Sequence, residues 1–395
     1  MVVVRDPFSP GVPVASKDFV GRVDVIESVA RGVFETETSK ALISILGQRR
    51  IGKSSLLNKL VDLWRGQHSD VLVLRFDCQA YSGGEAEHLV SDVVRSVSTE
   101  SGPSISDRKR YWHSLAVALE CSRRVILLLD EFDALAGQER RGYDGGFFEG
   151  LRSILISQAA RNRLTLITAT RKTLDKIEWL HDVKGSPLFG ITGQKVHIGH
   201  LLREEAEEIL SRGSSFLSPK EQKFLLKLSG PHPHFLHLAG SVSWNVKRVG
   251  TPGFEKAVMD QFLDLASGIY KSLLSSLDER VREKVYLQAL KGTSVDESDD
   301  GDLKGELLVD GEGKLFSDGL RAFCLRDRNE ILCVLRRRFL RLPRAQREVL
   351  GLHSVSGEPI QESSRWLLRE DGWVDREGIV HEALRKWIFP LLEDY

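Results

Sequence analysis

Gly47-Gln48-Arg49-Arg50-Ile51-Gly52-Lys53-Ser54 sets two glycines, a lysine and a hydroxyl at the spacing G-x-x-x-x-G-K-[ST]. Glycine tolerates positive φ, so successive backbone N–H groups can turn inward and surround an anion. A helix opening at Lys53 would add its positive N-terminal end to that nest. Lys53 is then placed to reach the outer phosphates of a nucleotide, and the Ser54 hydroxyl to ligate Mg²⁺. Gln48, Arg49, Arg50 and Ile51 supply the backbone of the loop, and Ser55 follows in the first helical turn.

A second constellation is Val125-Ile126-Leu127-Leu128-Leu129-Asp130-Glu131. Open α/β sheets bind ligands at the carboxyl ends of their strands, and an acidic pair stands there. Asp130 is the expected metal-side carboxylate, and Glu131 the base that orients and deprotonates an attacking water. P-loop enzymes with this glutamate insert an extra strand between the phosphate loop and the acidic strand, and Val71–Phe76 is available for it. A third segment, Leu164-Thr165-Leu166-Ile167-Thr168-Ala169-Thr170-Arg171, ends in polar groups. Thr168 or Thr170 would donate to the attacking water. Arg171 would pair with a γ-phosphate in cis, or is a solvated loop arginine. The expected cofactors are ATP or ADP with Mg²⁺, and the expected activity is slow, regulatory ATP hydrolysis.

The elements that must position these groups read as an alternating β/α pattern. Apolar runs occur at Ala41–Leu46, Val71–Phe76, Arg124–Leu129 and Leu164–Thr168, with a weaker one at Lys195–His200. Strands without polar alternation suit a parallel sheet buried on both faces. Helical segments fall at Arg22–Val33, Lys53–Gln67, Glu85–Ser98, Asp107–Glu120 and Gly145–Ala160, which gives a three-layer α/β core. Beyond residue 202 the strands stop, and Arg203–Arg212, Pro219–Leu228, His234–Arg248, Phe254–Leu274 and Asp278–Leu290 read as helices. The tail repeats a strand–turn–strand–helix pattern, first from Gly305 to Phe323 and again from Glu370 to Trp387.

Composition limits the alternatives. The 395 residues exceed one ordinary domain. Lys+Arg and Asp+Glu both number 56, so no global basic field exists for nucleic acid and only a local patch could serve. Arg336-Arg337-Arg338, Arg341, Arg344 and Arg347 form such a patch; it is either a DNA-docking face or the solvated side of an amphipathic helix. No apolar run is long enough to span a bilayer, and no signal peptide is legible. Cys78, Cys121, Cys324 and Cys333 lack Cys-x-x-Cys spacing and read as four buried thiols of a reduced, cytoplasmic protein.

Asp6-Pro7-Phe8-Ser9-Pro10-Gly11 and Phe19-Val20-Gly21-Arg22 precede the phosphate loop, and this arrangement resembles the STAND-type AAA+ ATPases of the archaeal ATPase and Orc/Cdc6-like branch. The resemblance implies an AAA+ P-loop core over 1–201, a helical lid over 202–270, a winged-helix unit over 271–330 and a second winged-helix-like unit over 331–395. It implies that Val20, Gly21 and Arg22 lie over the adenine and that Thr170-Arg171 senses the γ-phosphate. Gly230-Pro231-His232-Pro233-His234-Phe235 is similar to the lid motif whose proline packs on the adenine; Pro233 is that proline or a simple helix-start proline. Gly185–Phe189 resembles a loop before the last core strand, and His381 stands near a winged-helix histidine motif or is a core or surface histidine. One departure counts against a hydrolytic ring with a trans arginine: no arginine occurs from Lys172 to Gln194. The implied function is a nucleotide-dependent switch that assembles, as a homo-oligomer or with a separate effector protein, in the ATP state. The competing reading is an Orc-like ATPase that grips duplex DNA with its winged units.

Overall fold

The computed structural model describes residues 5–35, 40–82, 86–98, 111–135, 145–171, 193–292 and 314–356, together with 173, 174, 303, 304, 306, 308–310, 368, 373 and 384. They fall into two compact units. One is Ser9–Glu208; the other is Ile209–Tyr395 with Met1–Phe8.

The first unit is built on a parallel five-stranded sheet. Its strands are Leu42–Leu46 (β1), Val71–Asp77 (β2), Arg124–Asp130 (β3), Leu164–Thr170 (β4) and Gln194–His197 (β5), in the spatial order β2-β3-β4-β1-β5. Helices cover both faces: Val23–Phe34 (α1), Lys53–Gln67 (α2), Ala86–Val97 (α3), Tyr111–Cys121 (α4) and Gly145–Ile156 (α5). The side-chain alternation of a strand explains the layering. Ile126 and Leu128 of β3, Ile43 and Ile45 of β1 and Ile167 of β4 pack under α1 and α2 with Val29, Leu56, Leu60 and Trp64. Val125, Leu127 and Leu129, with Leu164 and Leu166, pack on the other face against Leu89, Val93, Leu119 and Phe148 of α3, α4 and α5. The three-layer expectation therefore holds, with element ends within a few residues of those read from the sequence.

One expectation is corrected. The strand that separates β1 from β3 in the sheet is β4, not Val71–Phe76. Val71–Asp77 lies between them in sequence only and takes the outer edge beside β3, where Asp77 pairs in register with Asp130. Its own pattern fits an edge, since only Val71 and Val73 are fully buried.

Helix Arg203–Ser211 (α6) leads the chain into the second unit. There the helices are Pro219–Ser229 (α7), Pro233–Val249 (α8), Phe254–Ser275 (α9), Glu279–Lys291 (α10), Asp318–Arg326 (α11), Arg328–Arg341 (α12) and Arg344–Ser356 (α13). Local chemistry sets their starts. Ser218 and Glu221 form a reciprocal capping box ahead of Pro219. Ser317 caps α11 through the Leu320 N–H at 3.0 Å, and Asp327 caps α12. An aromatic cluster fills the centre: Phe235 lies 4.5 Å from Tyr270, Tyr270 5.4 Å from Phe323, and Phe316 stacks on Phe235 at 6.2 Å. This single core draws residues from both sides of position 270. Before α11 the chain makes one antiparallel bridge, Val309 with Leu315, the described remnant of the first strand–turn–strand pattern.

Most of the second repeat lies outside the described residues, as do His381, Gly185–Phe189 and Lys172. Of the cysteines, Cys78 and Cys324 are buried as expected, but Cys333 is exposed. No helix among the described residues is long and apolar enough to cross a membrane.

Candidate nucleotide site

The phosphate loop runs from the end of β1 to the start of α2. Gly47 donates its N–H to Thr170 O at 3.3 Å, which ties the loop to β4. A Cβ on Gly47 would lie 3.0 Å from Ile198 O, so the loop leaves the sheet through a gap only glycine fits. Gly52 has φ +101° and Arg50 has φ +63°, the left-handed geometry that turns backbone N–H groups inward. Arg49 and Arg50 point outward and are exposed; Gln48 is half-buried and Ile51 fully buried. Lys53 is buried to 3%, with Nζ donating to Gly47 O and Gln48 O, each at 3.0 Å. The lysine thus lies folded along the loop that it is expected to serve.

Ser54 is half-buried in the first turn of α2. The Ser55 hydroxyl accepts from Val14 N–H at 3.2 Å. Asp130 ends β3 at 2% exposure. Its Oδ1 accepts from Glu131 N–H at 3.0 Å. Glu131 holds a left-handed backbone, φ +47°, a conformation that costs a non-glycine residue energy and turns the chain sharply at the strand end. Thr168 and Thr170 on β4 are fully buried, and neither hydroxyl has a hydrogen-bond partner. Thr168 is level with Leu129 of β3. Two residues further along β4, Thr170 stands on the same face and comes level with the acidic turn.

These groups meet at the carboxyl end of the sheet, inside the segment that matches a known family. Residues 41–214 match the NACHT domain, the nucleotide-hydrolysing module of STAND proteins. The matched segment is a P-loop NTPase domain. No curated protein sequence matches the chain. Two solved structures share its fold. The Walker-type ATPase of Pyrococcus abyssi is 18% identical, with TM-score 0.56, over 81% of this chain and 99% of that one. The ORC2 protein of Aeropyrum pernix, solved as ADPNP and ADP complexes, is 14% identical, with TM-score 0.50, over 99% of this chain and 98% of that one.

Ahead of the matched segment and in the same compact unit, the Phe19-Val20-Gly21-Arg22 turn is held from two sides. Gly21 and Arg22 both have positive φ, 68° and 58°. Glu205 accepts from Arg22 N–H at 2.7 Å and from Leu202 N–H at 2.9 Å, and a Cβ on Gly21 would collide with its carboxyl. The Arg22 guanidinium is buried to 5% and donates to Ile51 O at 2.5 Å and Gly199 O at 3.2 Å. It therefore clasps the phosphate loop. Burial pushes its pKa down to about 10, against the upward pull of Glu205 and Asp24. His200, beside it, is pushed down to about 4 by burial first and by Arg22 second.

Arginines of the site already pair with two of its carboxylates. Arg171 Nε lies 2.8 Å from Asp133 Oδ2, with Asp133 at 3% and Arg171 at 46% exposure. Arg75 on β2 reaches Asp130 Oδ2 at 2.5 Å. Burial lowers the Lys53 ammonium's pKa, opposed by Glu131, Asp133 and Asp130. Burial raises the Glu131 carboxyl, opposed chiefly by Lys53. Sequence reasoning missed Arg75, Glu205, the Arg22 clasp and the pairing of Asp133 with Arg171, because each depends on neighbours far away along the chain.

The donor set fits Mg²⁺. It pairs a hydroxyl with a carboxylate, hard oxygens of the kind that Mg²⁺ shares with nucleotide phosphates. Buried Asp133 Oδ1, Thr168 Oγ1 and Thr170 Oγ1 have no hydrogen-bond partner in the same region, as oxygens that await a polar ligand would be. Pro233 opens α8 in the second unit, where a proline's missing N–H costs nothing.

Proposed function

We propose that the NACHT domain binds Mg-ATP, hydrolyses it slowly, and uses the exchange between ATP and ADP to control assembly with further copies or with a separate partner. The observation that carries this reading is the Arg171–Asp133 pair beside the phosphate loop. Arg171 is held at the strand end by an internal carboxylate, yet half of it is exposed, so a γ-phosphate can draw it away. ADP lacks that phosphate. The two nucleotides therefore differ in what they offer Arg171, and only a differential interaction shifts a conformational equilibrium.

The chain's own groups fit the hydrolysis. Backbone N–H groups of Gly47–Ser54 surround the β-phosphate, and Lys53 leaves the Gly47 and Gln48 carbonyls to reach the outer phosphates. Ser54 and Asp130 would hold Mg²⁺, which would supply screening of the phosphate charge. Thr170 orients a water against the γ-phosphorus, and Glu131 accepts its proton as the new P–O bond forms. The bond from the γ-phosphorus to the bridging oxygen breaks, leaving ADP and phosphate. The raised Glu131 carboxyl suits a base that works nearer neutral pH.

The DNA reading loses support in the second unit. Arg337 and Arg341 pair with Glu283, Arg337 also with Glu279 and Glu330, and Arg344 with Glu348. Arginines committed to carboxylates release few counterions from a duplex. The test is light scattering on Glu131→Gln with ATP and on wild type with ADP, with and without candidate partner proteins. A change in mass or partner binding between the two states is expected. Identical behaviour would remove the switch and leave an NTPase without that output.

A further inference from the structure

Arg75 and Asp130 lie on neighbouring strands and on the same face of the sheet, the one under α2. Arg75 follows Val71 and Val73 at the two-residue period, and Asp130 follows Ile126 and Leu128. Their contact uses Arg75 Nη2 and Asp130 Oδ2 at 2.5 Å. Because Oδ1 already accepts from Glu131 N–H, both oxygens of this carboxylate are engaged. The Arg75 side chain keeps 27% exposure, and its Nε is buried without a partner. On its outer side Arg75 lines a cavity of about 360 Å³ with Ser16, Asn58, Asp62 and Arg65. Asn58 and Asp62 lie four residues apart on α2 and so share a face. Arg65, by contrast, is fixed by two hydrogen bonds to Val73 O, at 3.2 and 2.8 Å.

Resting on the Mg-nucleotide reading of Asp130, we propose that Arg75 is a built-in counter-cation that competes with the divalent metal for Asp130, and that the adjoining cavity receives its guanidinium when metal enters. A metal held by Asp130, directly or through water, would stand within about 4–6 Å of the guanidinium, where like charges oppose each other strongly. Asp130 at 2% exposure has little solvent to screen that repulsion. The side chain has somewhere to go: the Asn58 carbonyl and the Asp62 carboxylate supply acceptors along the cavity wall. Metal affinity is then reduced by the share of molecules in which Arg75 sits on Asp130. The device keeps the acidic strand end neutralised until a metal–nucleotide complex arrives, and it sets the metal concentration at which the site fills.

The experiment is Mn²⁺ titration of the ADP-bound protein, read as free Mn²⁺ by electron paramagnetic resonance, alongside ADP binding in EDTA. Arg75→Gln should tighten Mn²⁺ about tenfold, the size of one strong like-charge interaction, with ADP affinity in EDTA unchanged. Arg75→Lys, which keeps the charge, should stay near wild type. Asp62→Asn removes the receiving carboxylate from an exposed position on α2 and should weaken Mn²⁺ about threefold. That variant carries the test if Arg75→Gln does not fold. Equal or weaker Mn²⁺ binding by Arg75→Gln, or no effect of Asp62→Asn, would overturn the competition and make Arg75 an anchor that orients Asp130. No Mn²⁺ uptake by wild type with ADP would overturn the metal reading beneath it, a result distinct from uptake that ignores Arg75.

Discussion

Arg171 Nε is 2.8 Å from Asp133 Oδ2, and the two belong to different strand ends, one leaving β4 and the other in the turn after β3. The pair gives Arg171 a resting place that a γ-phosphate must outbid. Asp133→Asn should strengthen ATP binding about threefold and leave ADP unchanged, the scale of a half-exposed ion pair. Arg171→Ala should weaken ATP about tenfold more than ADP. Titration of both nucleotides against the two variants checks this. Equal changes for ATP and ADP would return Arg171 to the role of a surface arginine.

Lys53→Ala should cost roughly tenfold to a hundredfold in affinity for either nucleotide, as a charge-assisted phosphate contact is lost from a buried position. The substitution also frees the Gly47 and Gln48 carbonyls that Lys53 now satisfies. A melting curve without nucleotide separates that structural cost from the binding loss. Wild-type affinity in the variant would mean that the phosphate loop is not where the nucleotide sits.

Glu131 works as a base only when ionised, and burial raises its pKa. Turnover should therefore fall as pH falls through a value above the ordinary glutamate figure of about 4.3. Glu131→Gln should lower turnover by at least about a hundredfold while Mg-ATP still binds. A steady-state rate profile from neutral to acid pH checks the first point. An acid limb at or below the ordinary value would place the base elsewhere, with Asp133 the nearest alternative.

The fold was readable because its signal is local. Buried strands are short apolar runs and the helices carry their own starts, so Lys53–Gln67 was placed to the residue. The loop Gly47–Ser54 was readable because all its parts lie within eight positions of the chain. What escaped is what the sheet order creates. Arg75 meets Asp130 across 55 positions, and Arg22 reaches Ile51 across 29 and Gly199 across 177. The Arg75 contact cannot be found until β2 is known to flank β3, nor the Gly199 contact until β5 is known to flank β1. The Val71 strand shows the same gap: it lies between β1 and β3 in sequence but outside them in the sheet.

His200 offers a stability test of the Arg22 clasp. Its pKa is about 4 in the folded chain, against about 6.5 for a free histidine. Between those values the unfolded chain binds the proton and the folded chain does not. Stability is thus fully present above pH 6.5 and is lost as pH falls toward 4. At pH 5 the loss relative to neutral pH should be about 2 kcal/mol from this group. His200→Gln should flatten that part of the pH–stability curve. A curve unchanged by the substitution would mean that the imidazole is protonated beside Arg22.

Glu283 makes the last prediction, in the second unit. Its side chain is 1% exposed and faces a forked contact with Arg341, at 2.9 and 3.3 Å, with Arg337 Nε at 3.8 Å. Removing one partner of a buried pair leaves the other charge unmatched, which costs far more than losing a solvated pair. Arg341 is half exposed, so water screens part of that cost. Glu283→Gln should therefore destabilise by about 2 kcal/mol, below the range for fully buried pairs. Arg344→Ala breaks the Arg344–Glu348 pair, whose partners are 77% and 62% exposed, and should change stability by less than about 0.5 kcal/mol. Urea unfolding followed by tryptophan fluorescence, which reports on Trp373 beside Phe339, compares the two. Similar midpoints would mean that Glu283 is not a structural counter-charge. Its arginines would then be available to a duplex, and DNA binding that weakens steeply with salt would follow. If Glu283→Gln alone unfolds the unit early, the basic cluster is spent on holding α10 against α12, and the face that looked suited to DNA is part of the protein's own packing.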